Sequence, residues 1–158
     1  MRRWLSLLLV AIIATSQLRT QITADSVKAE FLHAWNGYKQ YAWGHDALKP
    51  VTKKPHDWYA SSLLLTPVDA FDTMVLMGLK AEAAEAKKII FDSLSFNKNI
   101  SVQAFEIIIR ELGGLLSAYQ MDGDKRFLGL AEERPGGPGI NRAGRELVIG
   151  TLLSTRRD

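Results

Sequence analysis

A glutamate and an arginine stand four residues apart in one stretch of helical character, at Glu106 and Arg110. At this spacing the two side chains project from neighbouring turns of a helix and can reach each other. A carboxyl group that burial keeps protonated can serve as a general acid. The same spacing is also typical of a surface ion pair worth only about 0.3–0.5 kcal/mol. Spacing alone therefore favours the surface ion pair.

Small residues continue the same helical stripe, at Gly113, Gly114 and Ser117. A glycine inside a helix costs up to about 1 kcal/mol relative to alanine. That cost is understandable where another backbone or a ligand comes close. A carboxyl group at the edge of a deep apolar face is also one whose pKa burial can raise. These features favour a functional interpretation of the stripe without establishing it.

The other acidic candidates have simpler explanations. Asp69 and Asp72 stand three apart near the start of a predicted helix, where capping and helix-dipole stabilisation explain them better than a pair of catalytic carboxylates. Asn99 begins an N-glycosylation sequon, Asn99-Ile100-Ser101, although Ser101 also suits a helix cap. Neither feature by itself predicts a function.

The histidines predict no metal site, because their spacing does not match a ligand set; they are His33, His45 and His56. His45 with Asp46 predicts a hydrogen-bonding role in a loop. Trp43 and Trp58 flank that segment and are able to stack on sugar rings, but core packing is the default expectation for them.

Helical periods account for the segments that must position these residues. Apolar residues recur from Val27 to Tyr41, with Asp25 or Ser26 as the N-cap. Thr66 is predicted to cap a second helix that carries proline at its first position and ends near Gly78. A third helical segment is predicted over about 80–94, and a long amphipathic helix from near residue 101 to residue 121.

The long amphipathic helix is predicted to bury one face, formed by Val102, Phe105, Ile109, Leu112, Leu116 and Tyr119. The segment from Gly44 to Ser61 is polar and is predicted to form a loop. The sequence contains neither a strand pattern nor an asparagine-glycine hairpin turn. The predicted fold class is therefore all-α, built of helical hairpins joined by short connections.

The two ends of the 158-residue chain differ from its middle. Residues 1–16 combine Arg2 and Arg3 with a short apolar run and small residues, which predicts a secretory signal peptide, with a signal-anchor as the alternative. Residues 17–133 form the predicted domain. Residues 134–158 begin with Arg134-Pro135-Gly136-Gly137 and predict a disordered tail, foreign to the helices before it.

Composition excludes several classes of protein. The chain has no cysteine, which removes disulfide frameworks, thiolate zinc sites and a cysteine nucleophile. Its net charge of +3 comes largely from arginines at the two ends, and its lysine pairs have no interleaved aromatic platform. We therefore expect no nucleic-acid partner.

Three blocks of sequence resemble the class I α-1,2-mannosidases, glycoside hydrolase family 47, in order and in spacing. The first runs from Phe31-Leu32-His33-Ala34-Trp35 to Leu48-Lys49-Pro50, the second from Thr66-Pro67-Val68-Asp69 to Met77-Gly78-Leu79, and the third from Phe105-Glu106 to Ser117-Ala118-Tyr119. The resemblance covers about residues 27–133. It identifies the chain as similar to the N-terminal part of such an enzyme.

The resemblance implies an (αα)7 barrel that binds Ca²⁺ and removes α-1,2-linked mannose from high-mannose N-glycans of glycoproteins with inversion. In the matching motif Glu106 takes the place of the general acid, and Arg110 that of a residue lining the sugar subsite. The resemblance also implies the secretory pathway, with membrane attachment only if residues 1–16 are an uncleaved anchor. A non-catalytic glycan-binding relative in glycoprotein quality control is the alternative, and a plain helical interaction module is a third.

The family's base carboxylate and the threonine that holds Ca²⁺ lie in later blocks, for which the sequence has no match. We therefore expect no metal ligand in this chain and no mannosidase activity from it alone. A partial ring of hairpins is also expected to leave apolar side chains without partners and to be poorly soluble. Ala47 stands where the family usually has glutamate, a minor departure.

Overall fold

The structure is a computed structural model, which describes residues 23–133. The predicted signal peptide (1–16) and the predicted tail (134–158) lie outside the described residues. The chain divides into two compact units, Met1–Asn36 and Gly37–Asp158. The first helix contributes residues to both units.

The described chain is mainly helical, and the all-α prediction is confirmed. Its helices are α1 (Ala24–Ala42), α2 (Leu65–Met77), α3 (Lys80–Ser93), α4 (Ala104–Ile107), a π-helical segment (Ile108–Leu112), α5 (Gly113–Asp122) and α6 (Arg126–Glu132). The predicted ends of the second helix near Gly78 and of the long helix near residue 121 are confirmed. Over residues 23–133, no helix combines the length and the apolar character needed to cross a membrane.

A small β-hairpin lies in the segment that was predicted to be a loop. Strands β1 (Ala47–Lys49) and β2 (Lys54–His56) pair in antiparallel register, with Ala47 opposite His56. The prediction of no strand was wrong because three residues are too short to show the alternation that reveals longer strands. The turn also lacks an asparagine-glycine pair and instead holds Lys53 at φ 53°.

The helix starts differ from those predicted. Thr23, rather than Asp25 or Ser26, caps α1, because its Oγ1 accepts a hydrogen bond from the Ser26 backbone N–H at 3.2 Å. Thr66 does not cap α2, which begins one residue earlier. Its hydroxyl instead donates to the carbonyl oxygen of Asp46 at 2.6 Å, a long-range contact that the local pattern does not reveal.

The π-helical segment changes which face of the long helix is buried. The helix begins at residue 104 rather than near Ser101, without a side-chain cap. Phe105 and Ile109 were predicted to be buried but are 70% and 50% exposed, whereas Ile107 is fully buried. A π turn bonds residue i to i+5 and so shifts the phase of the helix, which brings Ile107 onto the same face as Leu112. Other parts of the prediction hold, since Leu112 and Leu116 are buried.

The main core of the second unit lies among α2, α3, α5 and α6. Three aromatic rings pack together at its centre: the centroid of Phe127 lies 5.0 Å from that of Phe71 and 4.6 Å from that of Phe91. Met74, Ile90 and Leu115 are also completely buried. This core fixes α2 against the helix that carries Glu106 and Arg110, and thereby positions the candidate site.

Candidate active site

Arg110 joins two carboxylates and an aromatic ring. Its Nε donates to Oε2 of Glu106 at 2.8 Å, and its Nη1 donates to Oδ2 of Asp69 at 2.7 Å. Its Cζ lies 4.5 Å from the centroid of a Trp58 ring, within the range of a cation–π contact. The predicted pairing of Glu106 with Arg110 is therefore present, as part of a larger cluster.

The cluster lies at the surface and remains accessible. The side chains of Glu106, Arg110 and Asp69 are 24%, 32% and 35% exposed, and Trp58 is 43% exposed. Exposed charge pairs contribute little to stability, because water competes for both partners. The expectation that Trp58 packs in the core was wrong. The same holds for Trp43, which is 39% exposed.

Asp69 has a different role from the one predicted. It was expected to stabilise the start of α2, but it lies beyond the first turn and bonds Arg110 across 41 residues of sequence. Burial raises the pKa of Asp69, and the hydrogen bond from Arg110 acts against that shift. The pKa of Arg110 is raised, first by its hydrogen bond to Glu106. The guanidinium therefore stays charged and holds both carboxylates.

Asp72 also faces the long helix, since its Oδ2 accepts a hydrogen bond from the Ser117 hydroxyl at 2.7 Å. The predicted close approach at the glycines is confirmed for Gly114. A Cβ added there would lie 2.7 Å from Cγ1 of Val68, far inside ordinary contact distance. At Gly113 the nearest atom would be a backbone oxygen at an ordinary 3.5 Å. Gly114 thus allows α5 to pack closely on α2.

A buried carboxylate positions Trp58. Oδ2 of Asp46 accepts the Trp58 backbone N–H at 3.0 Å, and its Oδ1 accepts the N–H of Leu63 at 2.6 Å and that of Leu65 at 3.3 Å. The Ser62 hydroxyl adds a fourth bond at 3.0 Å. Asp46 is only 1% exposed, so these bonds replace the water that the carboxylate loses. They fix the chain between β2 and α2.

The hydrogen-bonding role predicted for His45 and Asp46 agrees with the structure. His45 Nδ1 lies 3.0 Å from Oδ2 of Asp57, whose other oxygen accepts the Asp46 backbone N–H at 3.0 Å. Over residues 23–133, no group of three or more histidine, cysteine, aspartate or glutamate side chains is arranged to hold a metal ion. His45 is therefore part of the hydrogen-bonded framework that precedes α2.

Sequence analysis named two members of the site but assigned them other roles, and it missed one neighbour. Asp69 and Trp58 belong to the Arg110 cluster, and Glu111 is completely buried beside it. Charge and helical spacing gave no signal for the contact between Asp69 and Arg110, because the two residues are 41 positions apart in sequence. Glu111 did carry a signal. It stands between Arg110 and Leu112, next to the buried face of an amphipathic helix.

Comparison with known proteins decides the family. The model of glycosyl hydrolase family 47 matches residues 30–134, which includes the whole cluster. The chain belongs to glycosyl hydrolase family 47. This family 47 chain is 54% identical to a rat endoplasmic reticulum mannosyl-oligosaccharide 1,2-alpha-mannosidase over 103 residues. The aligned residues cover 65% of the chain and 15% of the rat protein. It is 44% identical over 109 residues to an Arabidopsis thaliana mannosyl-oligosaccharide 1,2-alpha-mannosidase, covering 69% of the chain and 19% of the relative.

The fold comparison agrees with the family. The family 47 chain matches the structure of an alpha-1,2-mannosidase from Trichoderma reesei with a TM-score of 0.58 and 28% sequence identity. The match covers 85% of this chain and 25% of the fungal one. The described helices are therefore part of an (αα)7 barrel. The chain spans only a small share of the length of these relatives.

Proposed function

We propose that this family 47 chain carries the general acid of an exo-α-1,2-mannosidase that acts on high-mannose N-glycans of glycoproteins. Glu106 is the proposed acid and Arg110 the residue that orients it and lines the sugar subsite. The observation that supports the proposal is the accessible cluster in which one guanidinium bonds Glu106 and Asp69 over the face of Trp58. An isolated surface ion pair would lack these additional contacts.

The proposed chemistry assigns one proton transfer to Glu106. In an inverting hydrolysis, the acid protonates the leaving glycosidic oxygen while a separate carboxylate takes a proton from the attacking water. The bond from Arg110 engages Oε2, so Oε1 is the atom that would carry the proton. The two carboxyl groups of inverting enzymes are about 6.5–9.5 Å apart. We assign the base to a residue outside residues 23–133, because the family's base carboxylate lies in later blocks of sequence for which this chain has no match.

Ca²⁺ belongs to the proposal only as a cofactor of the family. Oxygen ligands from several carboxylates or carbonyls are needed to hold this ion. The part of the chain that the structure describes offers no suitable group of three or more acidic or histidine side chains. These residues do not fit a Ca²⁺ site, and no step of the proposed chemistry runs through the ion.

A binding experiment tests the sugar subsite. Titration calorimetry with α-1,2-mannobiose is expected to detect binding to the 158-residue chain, and Arg110→Met is expected to weaken it about tenfold or more, since a charged hydrogen-bond donor is lost. Arg126→Met is the matched control: Arg126 also bonds a carboxylate, that of Asp124, and stacks on the ring of Phe91 at 4.1 Å. Equal affinity of the two variants would contradict the assignment of Arg110.

A chimera tests the acid. Residues 30–133 replace the matching segment of the rat relative, with Glu106 or with Glu106→Gln. We expect the substitution to reduce kcat by about 10²–10⁴-fold, the usual contribution of a general acid. Similar kcat values would refute the role of Glu106. A wild-type chimera that binds mannobiose but releases no mannose would instead favour the non-catalytic glycan-binding alternative.

The 158-residue chain alone is expected to release no mannose from a high-mannose glycan, with or without Ca²⁺. Mannose release measured in the presence of Ca²⁺ would show that the chain already contains a base. We further propose the secretory pathway as the compartment, because N-glycans are found there and the rat relative is described as an endoplasmic reticulum enzyme. Expression with a C-terminal tag, followed by N-terminal sequencing, would show whether residues 1–16 are removed.

A further inference from the structure

Within the part of the chain that the structure describes, Glu111 is buried without a hydrogen-bonding partner. It is 0% exposed, and neither of its carboxyl oxygens bonds any group within residues 23–133. It lies in the π-helical segment, directly after Arg110 and five residues after Glu106. An ionised carboxylate in such a place loses its hydration and gains nothing in return. A neutral carboxylic acid tolerates the same burial far better.

The charges around Glu111 do not compensate for this burial. Asp69 on α2 and Asp46 after α1 oppose a negative charge there, whereas Lys98 after α3 and Arg110 on the same segment favour one. Both cations already have partners: Lys98 donates to the backbone oxygen of Ser62, and Arg110 bonds Glu106 and Asp69. Burial is the largest cause that raises the pKa of Glu111 well above its ordinary 4.5.

The location of Glu111 connects its ionisation to the candidate site. Ionisation favours a conformation in which this carboxyl group reaches water, and the π-helical segment that carries Glu111 also carries Arg110. Such π segments are local departures from α-helical bonding and occur frequently at functional sites. We propose that Glu111 is a proton-controlled lock, which keeps Arg110 in place while protonated and releases the segment when it ionises.

The direction of the pH dependence follows from which state of the chain, folded or unfolded, binds the proton of Glu111 more tightly. Because the pKa of Glu111 is raised in the folded chain, the folded state holds this proton above pH 4.5, where the unfolded chain loses it. The stabilising effect is complete below pH 4.5 and is lost as the pH rises towards the folded-state pKa. The folding equilibrium constant is expected to fall by up to about tenfold per pH unit in that window. The lock therefore favours acidic conditions.

Urea unfolding of the 158-residue chain from pH 4.5 to about pH 8 tests the lock. We expect the unfolding midpoint of the wild type to fall with pH more steeply than that of Glu111→Gln or Glu111→Leu. Glu85→Gln is the control, since Glu85 is exposed and pairs with Lys39. The control is expected to keep the wild-type pH profile. Should Glu111→Gln fail to fold, the comparison with Glu111→Leu decides, because leucine needs no hydrogen bond.

Parallel pH profiles of the unfolding midpoint for the wild type and a folded Glu111 variant would overturn the proposal. The proposal would also fail if neither the wild type nor either Glu111 variant had a folded state at any pH. A second readout follows Arg110 itself, through the fluorescence of Trp58 on which it stacks. The difference spectrum between the wild type and Trp58→Phe should change over the same pH window and stay constant in Glu111→Leu. The relevance of the lock to glycan binding rests on the proposed function. These folding measurements do not depend on that function. A failed mannobiose titration therefore leaves them unaffected.

Discussion

Replacing Gly114 by alanine tests the closest contact between α5 and α2. The added Cβ would lie 2.7 Å from Cγ1 of Val68 and 3.5 Å from its carbonyl oxygen. Val68 is only 2% exposed, and its branched side chain has few alternative rotamers, so it cannot easily move aside. We therefore expect the alanine variant to force a shift between the two helices.

The magnitude follows from two opposing effects. Overpacking a core by one methyl group costs about 1–3 kcal/mol. Alanine recovers up to about 1 kcal/mol of helix propensity relative to glycine. Gly114→Ala should therefore lower the free energy of unfolding by about 1 kcal/mol. Gly113→Ala gains the same propensity but meets only an ordinary contact at 3.5 Å, so it should raise the free energy of unfolding by up to about 1 kcal/mol.

Urea unfolding followed by circular dichroism measures both variants under identical conditions. The difference between them isolates the packing cost, because the propensity gain is common to both. The double variant Val68→Ala/Gly114→Ala should be more stable than the sum of the single changes, since the alanine at 68 makes room for the added methyl group. If Gly114→Ala is as stable as Gly113→Ala, the close approach is refuted.

Two further stability predictions have matched controls in the same chain. Asp46→Ala leaves three backbone N–H groups without their buried acceptor and should lower the free energy of unfolding by about 3–5 kcal/mol. Asp92→Ala removes only an exposed ion pair and should lower it by about 0.5 kcal/mol. Equal urea midpoints for the two variants would contradict the structural role of Asp46. Phe127→Ala removes the central ring of the aromatic core and should lower the free energy of unfolding by about 3–5 kcal/mol. Phe105→Ala, at a side chain that is 70% exposed, should change the free energy of thermal unfolding by no more than about 0.5 kcal/mol. A comparable loss of stability in both variants would show that the core is misidentified.

The helices could be predicted from the sequence because their signals are local. Apolar residues at helical spacing, the glycine after α2 and the turn after residue 121 all act within a few positions of the chain. Helix starts were less predictable. Thr66 has the residue type of a cap, yet its hydroxyl bonds Asp46, twenty positions earlier. A local rule fails where a distant partner offers a better hydrogen bond.

The candidate site likewise combines a local contact, which the sequence predicts, with long-range contacts, which it does not. Glu106 and Arg110 meet because four residues make about one turn of a helix, which a sequence already shows. Asp69 and Trp58 join them only after α2 has packed against the long helix and Asp46 has fixed the preceding chain. The sequence therefore allowed the ion pair to be recognised, but not the cluster that makes it a candidate site.

By itself the sequence determined the helical class, the family and the pair at its centre, because these depend on residue types and on spacings within a few turns. Tertiary structure alone decided that Arg110 also holds Asp69, that Glu111 is buried without a hydrogen-bonding partner within residues 23–133, and that Phe105 remains exposed. The physical reason for the burial of Glu111 and the exposure of Phe105 is the π turn at Ile108–Leu112, which shifts the helix phase. That shift depends on packing between helices, which local spacing does not encode.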